Sequence, residues 1–204
     1  MKLKTLFGAA LALLALTQVA CAEANTASKA KEGQDYTVYS GAKGTDKPEV
    51  MEFFAYTCGH CYNMEGFLAK WKPTKPEEVT FKQVPLFFPS AGHYTYAFYV
   101  AELLNVSDKV HPAIYHQLHV KKQNIPNKQA LIPIFEAAGI TAEEFEKAYN
   151  SFAVQNKVQY AKKLSREFKI TGTPTFVVNQ KYKVTDYKNL DYMLSQFPIE
   201  SLTK

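Results

Sequence analysis

Two cysteines with two residues between them, Cys58-Gly59-His60-Cys61, carry the strongest chemical signal in this 204-residue chain. Such a pair can close a disulfide when it opens a helix, because the first cysteine then lies at the helix N-terminus and the second nearly one turn inside. At that end, unpaired backbone N–H groups and the positive pole of the helix dipole favour a thiolate over a thiol. The same effect makes Cys58 a good leaving group when a disulfide through it is attacked. Cys61, deeper in the helix, is expected to be the buried resolving thiol. His60, inside the motif, adds a nearby positive charge or donor that would keep Cys58 ionised; the plainer reading is an exposed loop histidine. A structural zinc site would need four protein ligands, and there is no second Cys-x-x-Cys. His111, His116 and His119 follow no matching signature and read as surface or boundary histidines, so no metal and no cofactor is expected.

A second oddity lies six residues upstream. Residues 50–55, Val-Met-Glu-Phe-Phe-Ala, are an almost continuous apolar run of strand length, as in a strand buried on both faces. Glu52 sits in its middle, where a carboxylate costs several kcal/mol unless it is paired or protonated. It reads either as a buried proton relay for Cys61 or as a partly exposed pair at a strand end.

The elements that must position these groups are legible around them. Residues 36–39 and 79–86 read as strands, and a helix follows the cysteines until Pro73. From about residue 90 to 152 the pattern is helical. Ala97, Phe98, Ala101 and Leu104 mark one face of a first helix. Pro133 should kink or delay a later one, and Gly139 suits that helix's end. Thr141 and Glu144 form a capping box, with Ile140 and Phe145 placed as its hydrophobic staple. Val154, Val158, Ala161, Leu164 and Phe168 give a long amphipathic helix. Residues 175–178 then read as a strand, Asn179-Gln180 as a turn into a hairpin partner at 181–185, and Leu190, Met193, Leu194 and Phe197 as a closing helix. The outline is an α/β sheet domain split by a helical insertion.

The N-terminal residues are of another kind. Lys2 and Lys4 precede an apolar run over residues 6–16, and Ala20 and Ala22 flank Cys21 in the small-residue pattern of a cleavage site. This is a secretory leader over residues 1–22, too short for a comfortable transmembrane helix. Cys21 has a second reading, as the lipidated first residue of an anchored protein, although Gln18 stands where such sites usually have Leu. Residues 23–34 read as a flexible lead-in. One close cysteine pair in an exported chain suggests redox chemistry, since disulfide-stapled scaffolds carry many dispersed cysteines. The formal charge of +5, with Arg166 the single arginine and no lysine block interleaved with aromatics, speaks for solubility and against nucleic-acid binding.

Residues 52–62, Glu-Phe-Phe-Ala-Tyr-Thr-Cys-Gly-His-Cys-Tyr, resemble the active-site strand and helix of DsbA-type proteins in the thioredoxin superfamily. Residues 150–154, Asn-Ser-Phe-Ala-Val, and the stretch 171–182 around Gly172-Thr173-Pro174 resemble two further parts of that family. The likeness runs over essentially the whole chain after the leader. It implies a thioredoxin fold interrupted by an all-helical domain, here divided as residues 35–89, 90–152 and 153–204. It further implies a cis peptide bond between Thr173 and Pro174, facing the cysteines and leaving the Thr173 backbone to pair with a substrate strand. Lys82 occupies the position of the lysine that partners the buried acid, here Glu52.

The resemblance also implies an activity. Such proteins donate disulfides to newly exported chains with free cysteines in the periplasm and are reoxidised by a quinone-linked membrane partner, DsbB. A soluble monomer is expected. One departure stands out: the family usually has Pro-His between the cysteines, whereas Gly59-His60 is the dipeptide of eukaryotic protein disulfide isomerase. A disulfide isomerase or reductase on the same fold, and a peptide-binding holdase with incidental cysteines, are the competing readings.

Overall fold

The computed structural model describes residues 31–40, 42, 44–184, 187 and 190. The leader, Cys21, most of the lead-in and the closing helix through Met193, Leu194 and Phe197 lie outside the described residues. Of the lead-in, residues 31–34 make a turn in which the Gly33 N–H bonds to the Tyr36 carbonyl.

Among the described residues, five strands form one mixed sheet in the order β1-β5-β4-β2-β3. They are β1 (Tyr36–Val38), β2 (Glu49–Phe54), β3 (Thr80–Pro85), β4 (Thr175–Val178) and β5 (Tyr182–Val184). β2 runs parallel to β3 and antiparallel to β4. Helix α1 (Gly59–Trp71) links β2 to β3, as a parallel pair requires. All six residues of β2 are buried because the sheet is covered on both sides. Val50 packs with Met64, Leu68 and Trp71 of α1, while Met51 and Phe53 join the larger core on the other side.

Between β3 and β4 the chain makes five α-helices: α2 (Gly92–Leu103), α3 (Ser107–Tyr115), α4 (Ile132–Ala137), α5 (Ala142–Tyr149) and α6 (Phe152–Glu167). Helix α2 is buried nearly all round, with Tyr94, Phe98, Val100 and Ala101 all inside, and acts as the block's centre. Pro133 delays rather than kinks, falling in the first turn of α4, where its missing N–H costs nothing. That helix ends on Gly139 at φ +95°, with the Ile140 and Gly139 N–H groups closing onto Phe135 and Glu136. The capping box forms: Thr141 accepts from the Glu144 N–H and Glu144 accepts from the Thr141 N–H. On α6, Val154, Val158, Ala161 and Leu164 are buried as their spacing requires. Asn179 and Gln180 both take positive φ, turning β4 into β5. No helix among the described residues is long and apolar enough to cross a membrane.

Candidate active site

Strand β2 ends at Phe54, and the chain turns tightly from Ala55 to Cys58, whose N–H donates to the Ala55 carbonyl at 3.0 Å. Cys58 is the residue capping α1, in extended backbone, so its sulfur stands at the helix N-terminus. Both cysteines are free thiols, Cys58 half-buried and Cys61 fully buried. Their acidities diverge. At Cys58 burial opposes ionisation, but hydrogen bonds from the Thr173 side chain, the Cys61 N–H and thiol and the His60 N–H outweigh it, and the pKa falls below the usual thiol value. At Cys61 burial dominates and pushes the thiol up to about 12.

Thr173 and Pro174 meet Cys58 across the fold. Their peptide bond is cis, as expected, and the Cys58 Sγ lies 3.3 Å from the Thr173 carbonyl oxygen. His60 stands in the first turn of α1 with its ring exposed, and its backbone N–H is what reaches the Cys58 sulfur.

Glu52 is fully buried on the α1 side of β2. Gln83 Nε2 donates to its Oε2 at 2.8 Å, while its Oε1 has no hydrogen-bond partner. Burial raises its pKa to about 8; Gln83 lowers it, the Glu65 charge raises it and Lys72 lowers it, each by less. Burial above all, and then the nearness of Cys61 and Glu52, holds the Tyr115 hydroxyl well above the ordinary tyrosine range.

The expected pairing of Lys82 with Glu52 does not form. In the β2–β3 register Glu52 lies opposite Gln83, and Lys82 lies opposite Met51. Neighbouring residues of a strand point to opposite faces, so Lys82 is on the wrong side of the sheet for Glu52. It ion-pairs with Glu49 instead.

Glu52 belongs to a longer polar chain that the sequence reading left out. Gln83 Nε2 also reaches Glu65 Oε1 of α1 at 3.1 Å, and Glu65 Oε1 lies 3.2 Å from His111 Nε2. His111 Nδ1 bonds the Tyr56 hydroxyl at 2.8 Å. At Glu65 burial works against ionisation, but His111, Lys72 and Gln83 together hold the carboxyl below its ordinary value. His111 is therefore buried, not a surface histidine, whereas His116 is exposed and His119 lies at the boundary. The signal was available: His111 shares a helical face with Val110, Ile114 and Tyr115, all buried. Glu65, Gln83 and His111 also line a cavity of about 830 Å³ between α1, β3 and the helical block, and Gln83 joins that lining to Glu52.

A family model described as a DSBA-like thioredoxin domain matches residues 49–197. The thiol:disulfide interchange protein DsbA of Burkholderia cepacia is 35% identical over 167 residues, covering 79% of this chain and 78% of its own. That of Pseudomonas aeruginosa is 31% identical over 155 residues, 74% of each. Among solved structures, the oxidoreductase DsbA from Xylella fastidiosa superposes with a TM-score of 0.76 at 27% identity, over 82% of this chain and 97% of its own. The P. aeruginosa DsbA structure gives 0.73 at 29% identity, over 84% and 93%. With the family model matching residues 49–197 and relatives at 31–35% identity over about three quarters of each chain, the chain belongs to the DsbA-like thioredoxin family of thiol:disulfide oxidoreductases.

Proposed function

We propose that this protein is an exported dithiol oxidase that passes the Cys58–Cys61 disulfide to newly translocated chains. The observation that carries this reading is the split in acidity between the two thiols. A substrate thiolate attacks Cys58 Sγ; the new S–S bond forms as the Cys58–Cys61 bond breaks, and the electron pair leaves on Cys61. Cys61 is a poor anion at about 12 and needs a proton. Glu52, protonated up to about pH 8, is the acid that supplies it, and Gln83 joins that acid to the lining of the cavity. A second substrate thiolate then attacks the substrate sulfur of the mixed disulfide. Cys58 departs as a stabilised thiolate, leaving the substrate oxidised and this protein reduced.

The Thr173 backbone beside Cys58 would pair with the extended substrate, and Pro174 would hold it there. A leader over residues 1–22 would place a monomer in the periplasm, freed by cleavage or anchored through Cys21. A quinone-linked membrane oxidase of the DsbB kind would then accept the electrons.

The test is redox equilibrium with glutathione. A potential well above the about −270 mV of thioredoxin supports the oxidase. A value at that level overturns it in favour of a reductase. Trapping separates the two thiols: Cys61→Ala should accumulate mixed disulfides with exported proteins, and Cys58→Ala should not. Equal trapping by both would refute the assigned roles.

A further inference from the structure

The helical block grips the redox loop at a point the chemistry above does not use. Helix α3 runs on into a π-helical turn, His116–Val120, and this turn carries His119. His119 Nε2 lies 2.7 Å from the Tyr56 carbonyl oxygen. A carbonyl only accepts, so this nitrogen carries the proton and donates. The same ring stacks on Tyr62, the residue after Cys61, with centroids 5.0 Å apart and planes within 6°. His119 thus touches the chain two residues before Cys58 and one residue after Cys61.

The Tyr56 carbonyl is a sensitive place to hold. Cys58 N–H to Ala55 O closes a turn whose middle peptide joins Tyr56 to Thr57. In such a turn the middle peptide can flip, interchanging two turn types, and the flipped form needs positive φ at the third residue. Thr57 does not take positive φ, so the turn is in the unflipped form, with its carbonyl directed at His119. The peptide's orientation sets how Cys58 enters the helix, and therefore where its sulfur lies relative to the His60 and Cys61 N–H groups.

We propose that His119 is a positioning residue for the disulfide chemistry: by donating to the Tyr56 carbonyl it fixes the peptide leading into Cys58 and keeps the sulfur seated on the N-terminus of α1. The proposal rests on the thiol chemistry of Cys58 and not on the direction of disulfide transfer, so a reductase-like potential would leave it standing.

The donor and the stacked ring can be separated. His119→Phe keeps the ring on Tyr62 and loses the donor; His119→Gln keeps a side-chain N–H of similar reach and loses the ring. Ultraviolet titration of the Cys58 thiolate should show the midpoint of H119F raised by about half a unit or more, the scale of one lost hydrogen bond. Alkylation of Cys58 at mildly acidic pH should slow by about threefold, the same half unit read as a rate. H119Q should titrate like the parent, and so should Tyr62→Leu, which removes the stack alone. A parent-like midpoint in H119F overturns the proposal. So does a shift in H119Q or Tyr62→Leu as large as that in H119F, which would make the ring, not the donor, responsible. Should H119F not fold, His119→Ala is read in its place, and a midpoint like the parent's in that variant overturns the proposal.

Discussion

Strand β2 carries two buried glutamates three residues apart, and they have opposite fates. Glu49, 5% exposed, is fully engaged. Lys82 and Gln180 donate to its carboxylate, and its backbone exchanges hydrogen bonds with Asn179 at 2.8 and 2.7 Å. Glu52, 0% exposed, has one amide donor, an oxygen left without a partner, and a second carboxylate nearby in Glu65. Burial alone does not distinguish these two acids. What does is the supply of donors on each face of the sheet: one face ties its carboxylate into the framework, the other leaves a carboxyl that holds a proton near neutral pH. The first acid is structural and the second is available for chemistry.

The widest gap between them should open in pH dependence. In the unfolded chain a carboxyl such as that of Glu52 ionises near 4.5, and in the fold only near 8. Between those values the folded state binds one more proton, so stability is greatest below 4.5 and is lost as pH rises towards 8. Glu52→Gln removes this loss. It should stabilise the protein at pH 7 by on the order of 3 kcal/mol and flatten the slope between the two values. It should also slow oxidation of a dithiol peptide by about tenfold or more, through loss of the acid that protonates Cys61. Urea melts across that pH range and stopped-flow oxidation are the measurements; an unchanged slope would return Glu52 to the framework class.

Glu49→Ala should do the reverse. With Lys82 and Gln180 left unpartnered, the loss of stability should be about 1–3 kcal/mol, while the oxidation rate stays as in the parent. A change in that rate would show the two faces to be coupled. The smallest effect belongs to Lys82→Gln, which keeps a donor for Glu49. The lysine side chain is 52% exposed, so removing its charge should cost about 1 kcal/mol or less and leave exchange kinetics untouched. Slowed exchange in this variant would restore Lys82 as a partner of Glu52.

Why the sequence misassigned that lysine is instructive. The continuous apolar run identified β2 and its burial on both faces, and the capping box, Gly139 and the Asn179-Gln180 turn marked boundaries that the structure reproduces. These are local signals, each set by the conformation of a few adjacent residues. The partner of Glu52 is set by register between two strands, and a slip of one residue exchanges Lys82 for Gln83 and one face for the other. Strand β3 offers little to fix that register, because its first four residues alternate only between exposed and half-buried. The cysteine pair and the Thr173-Pro174 element were legible because motif and resemblance coincide there. Tyr56, Glu65, Gln83, His111 and His119 were not, because each acts through a contact made from another element. Only the stripe formed by His111 with Val110, Ile114 and Tyr115 left a trace in the sequence.

Placing five α-helices between β3 and β4 has a consequence for the order of events as the chain folds. Glu49 and Asn179, which join β2 to the β4–β5 turn, are 130 residues apart along the chain. Closing so long a loop is entropically costly and slow compared with forming α1 or the helical block. In a chain that emerges N-terminus first, the cysteines are therefore exposed before the strand that faces them exists. Burial works against the ionisation of Cys58, and the Thr173 side chain heads the bonds that work for it, so full thiol acidity arrives only with β4. An incomplete chain carries the motif with a more nearly ordinary thiol, and its reactivity switches on when β4 joins β2.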